Sequence, residues 1–140
     1  MNFEIDNTLP KMPDEFLLSG DYIRSLRCLS PQKAFEAGYA SYLPDNETEL
    51  TDYLSKYFNT DIEVRYQLIT NDLPMHQDIC EQDYKFNYVY ETGGDNVLTQ
   101  WEGEEIVCEP YIWYKLNVRN YHAVSNVVSD RLSITVKIKE

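Results

Sequence analysis

The chain has 140 residues, of which 43% are hydrophobic and 14% aromatic, so it can bury a real core without disulfides. Its formal net charge of -12 argues against a nucleic-acid partner, because binding to a phosphate backbone depends on Lys and Arg side chains. The three cysteines (Cys28, Cys80 and Cys108) lack a paired short spacing, and the sequence contains neither a targeting segment nor an apolar run of membrane-spanning length. We therefore expect one soluble, cytoplasmic domain with no membrane contact.

Residues 1–60 are predicted to form a mainly helical part. Ser30 before Pro31 is typical of an N-cap with proline in the first helical position, and this helix would run up to Pro44. Its apolar side would contain Ala34, Phe35, Ala37, Gly38 and Tyr42. Asn46 with Glu49 resembles the capping box of a second helix. That helix would carry Leu50, Tyr53, Leu54, Tyr57 and Phe58 on one side. Candidates for edge strands are Leu9, Phe16, Leu17 and Leu18.

From Asp61 onward the hydrophobic period changes to two, which predicts strands. The first strand has Ile62, Val64, Tyr66 and Leu68 on one face. A second strand over residues 84–90 leads into the turn Gly93-Gly94-Asp95. Further strands are predicted at 97–101, 105–108, 111–118, 123–127 and 131–138. Many short strands indicate a mainly β sandwich or closed barrel, so residues 61–140 would form its core and the two helices would cover one outer face.

The last predicted strand has two chemically different faces. Its apolar face contains Leu132, Ile134, Val136 and Ile138, and its polar face contains Arg131, Ser133, Thr135 and Lys137. If the apolar face meets the helices, Arg131 and Ser133 face the interior of the barrel. An Arg in that position needs an anion or another partner, because an unpaired buried charge is costly.

The strongest local motif is His76-Gln77-Asp78. On an extended segment, residues i and i+2 point in the same direction, so the imidazole and the carboxylate would lie side by side. The second of the two histidines in the chain is His122, between predicted strands. Two His and one carboxylate on one side of a metal leave the opposite positions open, which is typical of non-heme Fe(II) oxygenases.

Together these motifs resemble those of the Fe(II)/2-oxoglutarate-dependent dioxygenase superfamily. Its pattern is H-x-D, then a second His, then Arg-x-Ser about ten residues further on. Here these elements are His76-Gln77-Asp78, His122 and Arg131-Leu132-Ser133, and the resemblance covers roughly residues 61 to 138. Val64-Arg65-Tyr66 resembles the strand of prolyl-hydroxylase-like members that supplies a co-substrate tyrosine. His122-Ala123-Val124-Ser125-Asn126 resembles the H-x-V-x-N of prolyl and aspartyl/asparaginyl hydroxylase relatives.

The resemblance implies a double-stranded β-helix, or jelly roll, that binds Fe(II), 2-oxoglutarate and O2. It implies that His76, Asp78 and His122 ligate the iron. It also implies that Arg131 pairs with the distal carboxylate of 2-oxoglutarate, with help from the Ser133 hydroxyl and the Tyr66 phenol. Asn87 is a further candidate for the pocket, although a structural hydrogen bond would explain it equally well. The implied reaction is hydroxylation of a peptide or protein side chain, or of a small molecule, with release of succinate and CO2.

Two other classes of protein are compatible with the same residues. Cys80 and Cys108 with the two histidines are of the right types for a zinc site, although they lack the paired short loop of structural zinc sites. A noncatalytic jelly-roll module that binds carbohydrate through surface tyrosines would not depend on His76 or Asp78. Trp101 and Trp113 are expected in the core or at a rim.

Overall fold

A computed structural model of the chain describes residues 1–78 and 82–139, apart from the side chains of Lys33 and Phe35. Its strands are β1 (Phe3–Ile5), β2 (Arg27–Cys28), β3 (Tyr39–Leu43), β4 (Ile62–Ile69), β5 (Leu73–His76), β6 (Tyr84–Thr92), β7 (Leu98–Trp101), β8 (Glu104–Ile106), β9 (Trp113–Asn117), β10 (His122–Ser125) and β11 (Arg131–Ile138). Its helices are α1 (Gly20–Arg24), α2 (Pro31–Ala37) and α3 (Glu47–Ser55), with a 3-10 turn over Asp14–Phe16. The predicted mainly β class is confirmed.

The strands form two antiparallel sheets. The larger has the order β1-β9-β6-β11-β4-β3-β2, and the smaller has the order β5-β10-β7-β8. Strands β4 and β11 pair over their full length, from Ile62 opposite Ile138 to Ile69 opposite Arg131. Side chains of both sheets line one cavity between them, so the two sheets form a sandwich.

The main core lies between the larger sheet and the helices. Leu50 and Leu54 of α3 are fully buried there, in one core cluster with Ile134 and Val136 of β11. Burying this apolar strand face against helices is what the alternation in β11 predicts, and the prediction is confirmed. Arg131 is also buried, and it points to the other side of the sheet, into the cavity between the sheets.

The first 60 residues differ from the prediction, because they add three strands to the larger sheet. The first predicted helix ends at Ala37, since Gly38 takes the left-handed conformation with φ 66° and terminates it. Tyr42, expected on that helix, therefore lies on β3. The expected contribution of the Phe35 side chain lies outside the described residues.

The edge strands expected at Leu9 and residues 16–18 are absent from the described chain. Phe16 lies in the 3-10 turn, and its neighbours pack against the main core without joining a sheet. The capping box is also wrong in detail, because the side chain of Asn46 makes no capping hydrogen bond to α3. Both errors concern local signals that tertiary packing overrides.

The structure bears on two expectations, which concern membrane spans and the cysteines. Over residues 1–78 and 82–139, no helix is both long and apolar enough to cross a membrane. Cys28 and Cys108 are free thiols. Cys80 lies outside the described residues.

Candidate metal centre

The two histidines are brought together by strand register. His76 ends β5 and His122 begins β10, and the two are direct cross-strand partners. Side chains of directly opposite residues lie on the same face of a sheet. The two imidazole rings accordingly lie with centroids 4.4 Å apart. A pairing between residues far apart in sequence thus supplies two adjacent nitrogen donors.

Asp78 follows β5 by two residues and completes the group. Its backbone N–H donates to Val118 O at 2.8 Å, which fixes the segment just before the undescribed residues. Asp78 Oδ1 lies 3.7 Å from Nε2 of His76 and 3.7 Å from Nε2 of His122. All three ligand atoms lie within 4.8 Å of one another. This spacing suits three ligands around one divalent ion, and the two histidines with one carboxylate match a facial arrangement.

The tautomers of both histidines suit metal binding. Nδ1 of His76 lies 2.7 Å from Pro74 O, and Nδ1 of His122 lies 2.8 Å from Asn120 O. A carbonyl oxygen only accepts hydrogen bonds, so each Nδ1 carries the proton. In the neutral ring the lone pair then belongs to Nε2, the atom that faces Asp78. Such a second hydrogen bond is how proteins orient metal-ligating histidines.

A β-bulge makes the hydrogen bond of His76 possible. Between the pairs His122–His76 and Val124–Leu73, strand β5 contains one more residue than β10. Pro74 lies in that bulge, on the edge strand of the smaller sheet, where its missing N–H costs no ladder bond. Because of the bulge, the Pro74 carbonyl accepts the hydrogen bond from Nδ1 of the His76 ring.

The electrostatic surroundings keep His122 neutral. Its side chain is buried, and burial is the main cause that lowers its pKa. The neighbouring His76 and the charge of Lys85 lower the pKa further, whereas the bond to Asn120 O and the Asp78 carboxylate raise it. A neutral imidazole is the form that binds metal.

Arg131 has no anionic partner within the described residues. It is 4% exposed, and its Nη1 donates to Thr92 O at 2.9 Å. Its other neighbour is the Cys108 thiol, whose pKa is raised by burial and which therefore stays neutral. No carboxylate of residues 1–78 and 82–139 forms an ion pair with this guanidinium. A buried cation of this kind is stabilised when a ligand supplies the anion.

One cavity connects the histidines and Asp78 with Arg131. It is narrow, with about 40 Å³ of internal space. Polar residues of the larger sheet line it, namely Gln67, Lys85 and Asn87. Asn87 is 6% exposed, and its Oδ1 is buried without a hydrogen-bond partner in the described protein. An unsatisfied buried oxygen beside the cavity is a site for a donor from a ligand or water.

The other expected co-substrate residues are placed differently. The hydroxyl of Ser133 donates to Gln67 Oε1 at 3.4 Å, and Ser133 is not among the described residues that line the cavity. Tyr66 lies on the opposite face of β4, in the helix-side core, and its phenol donates to Phe16 O. The expectation for Tyr66 is therefore wrong, because its hydroxyl donates its hydrogen bond on the helix side of the sheet and does not face the cavity.

Some lining residues of the cavity were not predicted as site residues, among them Tyr39, Lys85 and Trp101, although Trp101 lies in the core as expected. Tyr39 on β3 lines the cavity near His76, with ring centroids 6.4 Å apart, and it hydrogen-bonds Gln67. Lys85 was not expected in the cavity, because lysines on strands are commonly exposed, whereas this one is buried. Trp101, expected at the core or a rim, lines the cavity 6.5 Å from the His122 ring. The signal for Tyr39 was the αL-favouring Gly38 before it, which separates the strand from the helix.

The zinc alternative loses one ligand in this arrangement. Cys108 is buried beside Thr99 and hydrogen-bonds Arg131, and it is not grouped with the two histidines in the described chain. Cys80 lies outside the described residues.

Comparison with known proteins adds no evidence about the site. No protein-family model matches the sequence, and no curated protein matches it.

Proposed function

We propose that this protein is an Fe(II)- and 2-oxoglutarate-dependent oxygenase that hydroxylates a substrate and releases succinate and CO2. The observation that carries the proposal is one cavity that joins a His-Asp-His group to a buried Arg without an anionic partner in the described chain. Either feature alone has ordinary structural explanations. Their combination matches an ion that keeps open positions and a co-substrate with a free carboxylate.

The strand pairing supports a jelly roll within the sandwich. Strands β4 to β11 pair as β4 with β11, β5 with β10, β6 with β9, and β7 with β8. This is a long hairpin of four strand pairs. The pairs belong alternately to the two sheets, the first and third to the larger sheet and the second and fourth to the smaller sheet. Rolling such a hairpin into two packed sheets is the jelly-roll topology.

Each ligand has a defined task in the proposed metal site. His76 and His122 donate Nε2, and the backbone carbonyls that hold their Nδ1 protons keep the rings oriented. Asp78 adds a negative charge that favours a divalent ion over a neutral occupant. Bound there, Fe(II) supplies O2 activation coupled to oxidation of 2-oxoglutarate.

Arg131 and Asn87 have the tasks of binding and orienting the co-substrate. A guanidinium can donate two parallel hydrogen bonds to a carboxylate, and in a buried cavity such a pair is strong. The Asn87 side chain adds polar groups to the wall. Gln67 lines the cavity in place of Ser133, and the Ser133 hydroxyl donates a hydrogen bond to it. The enclosed cavity also keeps bulk water from the reacting groups.

An anaerobic titration tests the proposal. Fe(II) followed by 2-oxoglutarate should give a weak visible charge-transfer band that requires both components. His76→Ala and Asp78→Ala should abolish the band, whereas Asp52→Ala, which removes an exposed carboxylate of α3, should keep it. Metal binding without the band would favour a structural metal, and no metal binding would favour a noncatalytic binding module.

A cytoplasmic location stays part of the proposal, supported by the free thiols Cys28 and Cys108.

A further inference from the structure

The middle residue of the motif His76-Gln77-Asp78 makes a contact to which the proposed function gives no role. The Gln77 side chain is exposed, and its Nε2 donates a hydrogen bond to Arg119 O at 2.9 Å. Arg119 lies in the loop that leads from β9 to His122 at the start of β10. Gln77 therefore joins the segment that carries two of the proposed ligands to the loop ahead of the third.

The peptide group between Arg119 and Asn120 is held at both of its ends. Gln77 binds its carbonyl oxygen, and Asn117 Oδ1 accepts a hydrogen bond from its N–H at 3.0 Å. The next carbonyl along the chain is that of Asn120, which accepts the hydrogen bond from Nδ1 of His122 at 2.8 Å. Consecutive peptide planes are joined by only two soft dihedral angles, so the orientation of the first plane limits where the second carbonyl can lie.

The same loop is also held from the side of β1. Asn2, just before that strand, accepts at its Oδ1 from Asn120 Nδ2 at 2.8 Å, and its carbonyl accepts from the Asn117 N–H at 2.8 Å. Neither bond involves the carbonyl that Gln77 binds. A protein without the Gln77 amide should therefore keep the loop on the larger sheet, while the peptide group at 119–120 becomes free to rotate.

The exposure of the Gln77 amide limits its value for folding. Water can replace either partner when the bond is lost, and the backbone bond from Asp78 N–H to Val118 O still attaches the segment to the loop. Metal affinity is a more sensitive quantity, because groups that orient metal-ligating histidines commonly change it by about 10- to 100-fold. A role in the site therefore fits this contact better than a role in stability.

We propose that Gln77 is a positioning residue of the proposed metal site. By fixing the peptide group between Arg119 and Asn120, it keeps the Asn120 carbonyl in place for Nδ1 of His122, and so keeps Nε2 of that ring directed at Asp78. This inference rests on the proposed function and names the side chain that couples the two ligand segments.

The two histidines should respond differently to loss of this contact. Nδ1 of His76 bonds to Pro74 O within its own strand, so its orientation does not depend on the loop. Nδ1 of His122 bonds to a carbonyl of the loop itself. Removing the Gln77 amide should disturb one ring and spare the other, which general destabilisation would not do.

Nitrogen-15 NMR of the histidine rings in metal-free protein tests the orientation directly. At about pH 8.5, roughly two units above the ordinary histidine pKa, both rings of wild type should be neutral and carry the proton on Nδ1. Gln77→Met keeps the length of the side chain and removes the donor, so His122 should show mixed tautomers while His76 stays unchanged. Gln32→Met, which removes an exposed hydrogen bond to Glu36 on α2, is the matched control and should leave both rings unchanged.

Mn(II) titration of the same proteins tests the consequence for the site. Gln77→Met should weaken Mn(II) binding about tenfold, and Gln32→Met should stay within about twofold of wild type. In Gln77→Met, an unchanged His122 tautomer, an unchanged Mn(II) affinity or an equal disturbance of both histidines would each overturn this inference alone. Failure of the wild-type protein to bind Mn(II) would overturn the proposed function, whatever the tautomers show.

Discussion

At the residue scale, Arg131 is a buried charge that should lower the stability of the empty protein and, in the proposed function, bind a carboxylate. Its guanidinium is buried, burial lowers its pKa, and none of the described acids offsets its charge. The Thr92 carbonyl and the Cys108 thiol satisfy donors but provide no negative charge. A side chain that destabilises the empty protein and matches a carboxylate is typical of a ligand anchor.

Replacement of Arg131 should therefore separate stability from binding. Arg131→Met should raise the free energy of unfolding of the ligand-free protein by about 1–2 kcal/mol, because it removes an unpaired buried charge at similar length. It should also abolish the stabilisation by 2-oxoglutarate, which for wild type reaches about 2.7 kcal/mol at a hundredfold excess over Kd. Urea denaturation with and without 2-oxoglutarate measures both effects. Arg24→Met, which removes an exposed partner of Asp130, is the control. A large loss of stability in Arg131→Met would identify a structural Arg.

His122 should make the metal-free protein sensitive to mild acid. Its folded pKa is lower than the ordinary value of 6.5, chiefly through burial. The unfolded state therefore binds more protons below pH 6.5, and the free energy of unfolding falls as the pH falls, until the folded pKa is passed. Relative to His122→Gln, wild type should lose up to about 1.4 kcal/mol per pH unit in that range. Urea titrations in the presence of a chelator measure the difference, and parallel pH curves for the two proteins would contradict it.

At the element scale, alternation predicted part of the site, namely strands β4, β6 and β11 of the larger sheet. The boundaries of β11 follow from its sequence, because one face is apolar and the other polar along its whole length. The same reasoning, applied to β4, excludes Tyr66 from the cavity. Tyr66 pairs with Ile134 and so shares the helix-facing side. The family resemblance implied a role in the cavity for Tyr66, whereas its shared face with Ile62, Val64 and Leu68 was at least as compatible with the core, where it lies.

Other elements could not be predicted, because their signals depend on partners distant in the chain. Residues of strand β3 were predicted to continue the first helix, whereas Gly38 ends that helix and pairing with β4 and β2 makes the strand extended. Strand β5 is short and contains Pro74, so it lacks a period-two pattern. Its pairing with β10 is what brings His76 to His122. The sequence motifs indicated the ligands, but not that Tyr39 and Lys85 line their cavity.

Gly38 should be the most sensitive glycine near the site. It has φ 66°, and an added Cβ would collide with Thr70 Oγ1 and Asn71 Nδ2. Gly38→Ala should cost about 1–3 kcal/mol in the free energy of unfolding. Gly103 has φ 75° with open space around it, so Gly103→Ala isolates the backbone cost and should be milder. Urea denaturation compares the two variants. Equal losses would show that the contacts with Thr70 and Asn71 relax freely.

At the scale of the whole molecule, the larger sheet separates two environments. One face packs on helices and supplies most of the buried apolar surface, and the other carries the polar wall of the cavity. The main core and the candidate site therefore lie on opposite sides of the same strands. Changes on one side should add to changes on the other with little coupling.

A pair of truncations tests this separation. Leu54→Ala on the helix side should lower the free energy of unfolding by about 2–5 kcal/mol, since Leu54 is fully buried. Below its melting temperature it should bind Mn(II) within about twofold of wild type. Val124→Ala, which shortens a lining residue of the cavity on β10, should weaken Mn(II) binding as well. Denaturation and Mn(II) titration give the two values. A clear loss of Mn(II) affinity in Leu54→Ala would mean that the two faces are coupled.

The pairing of His76 with His122 also gives the loop ahead of β10 an unusual importance. Asn117 Oδ1 accepts from the backbone N–H groups of Arg119 and Asn120, at 3.0 Å each, and so closes that loop at a fixed length. Since neighbouring residues of a strand point to opposite faces, deleting one residue here would turn the imidazole of position 122 away from Asp78. The sandwich should survive deletion of one of the exposed residues 119–121, because the main core lies between the larger sheet and the helices. If the proposed site binds a metal, the loss of a single codon in this loop would be enough to abolish that binding, and loop length is the trait to compare among descendants.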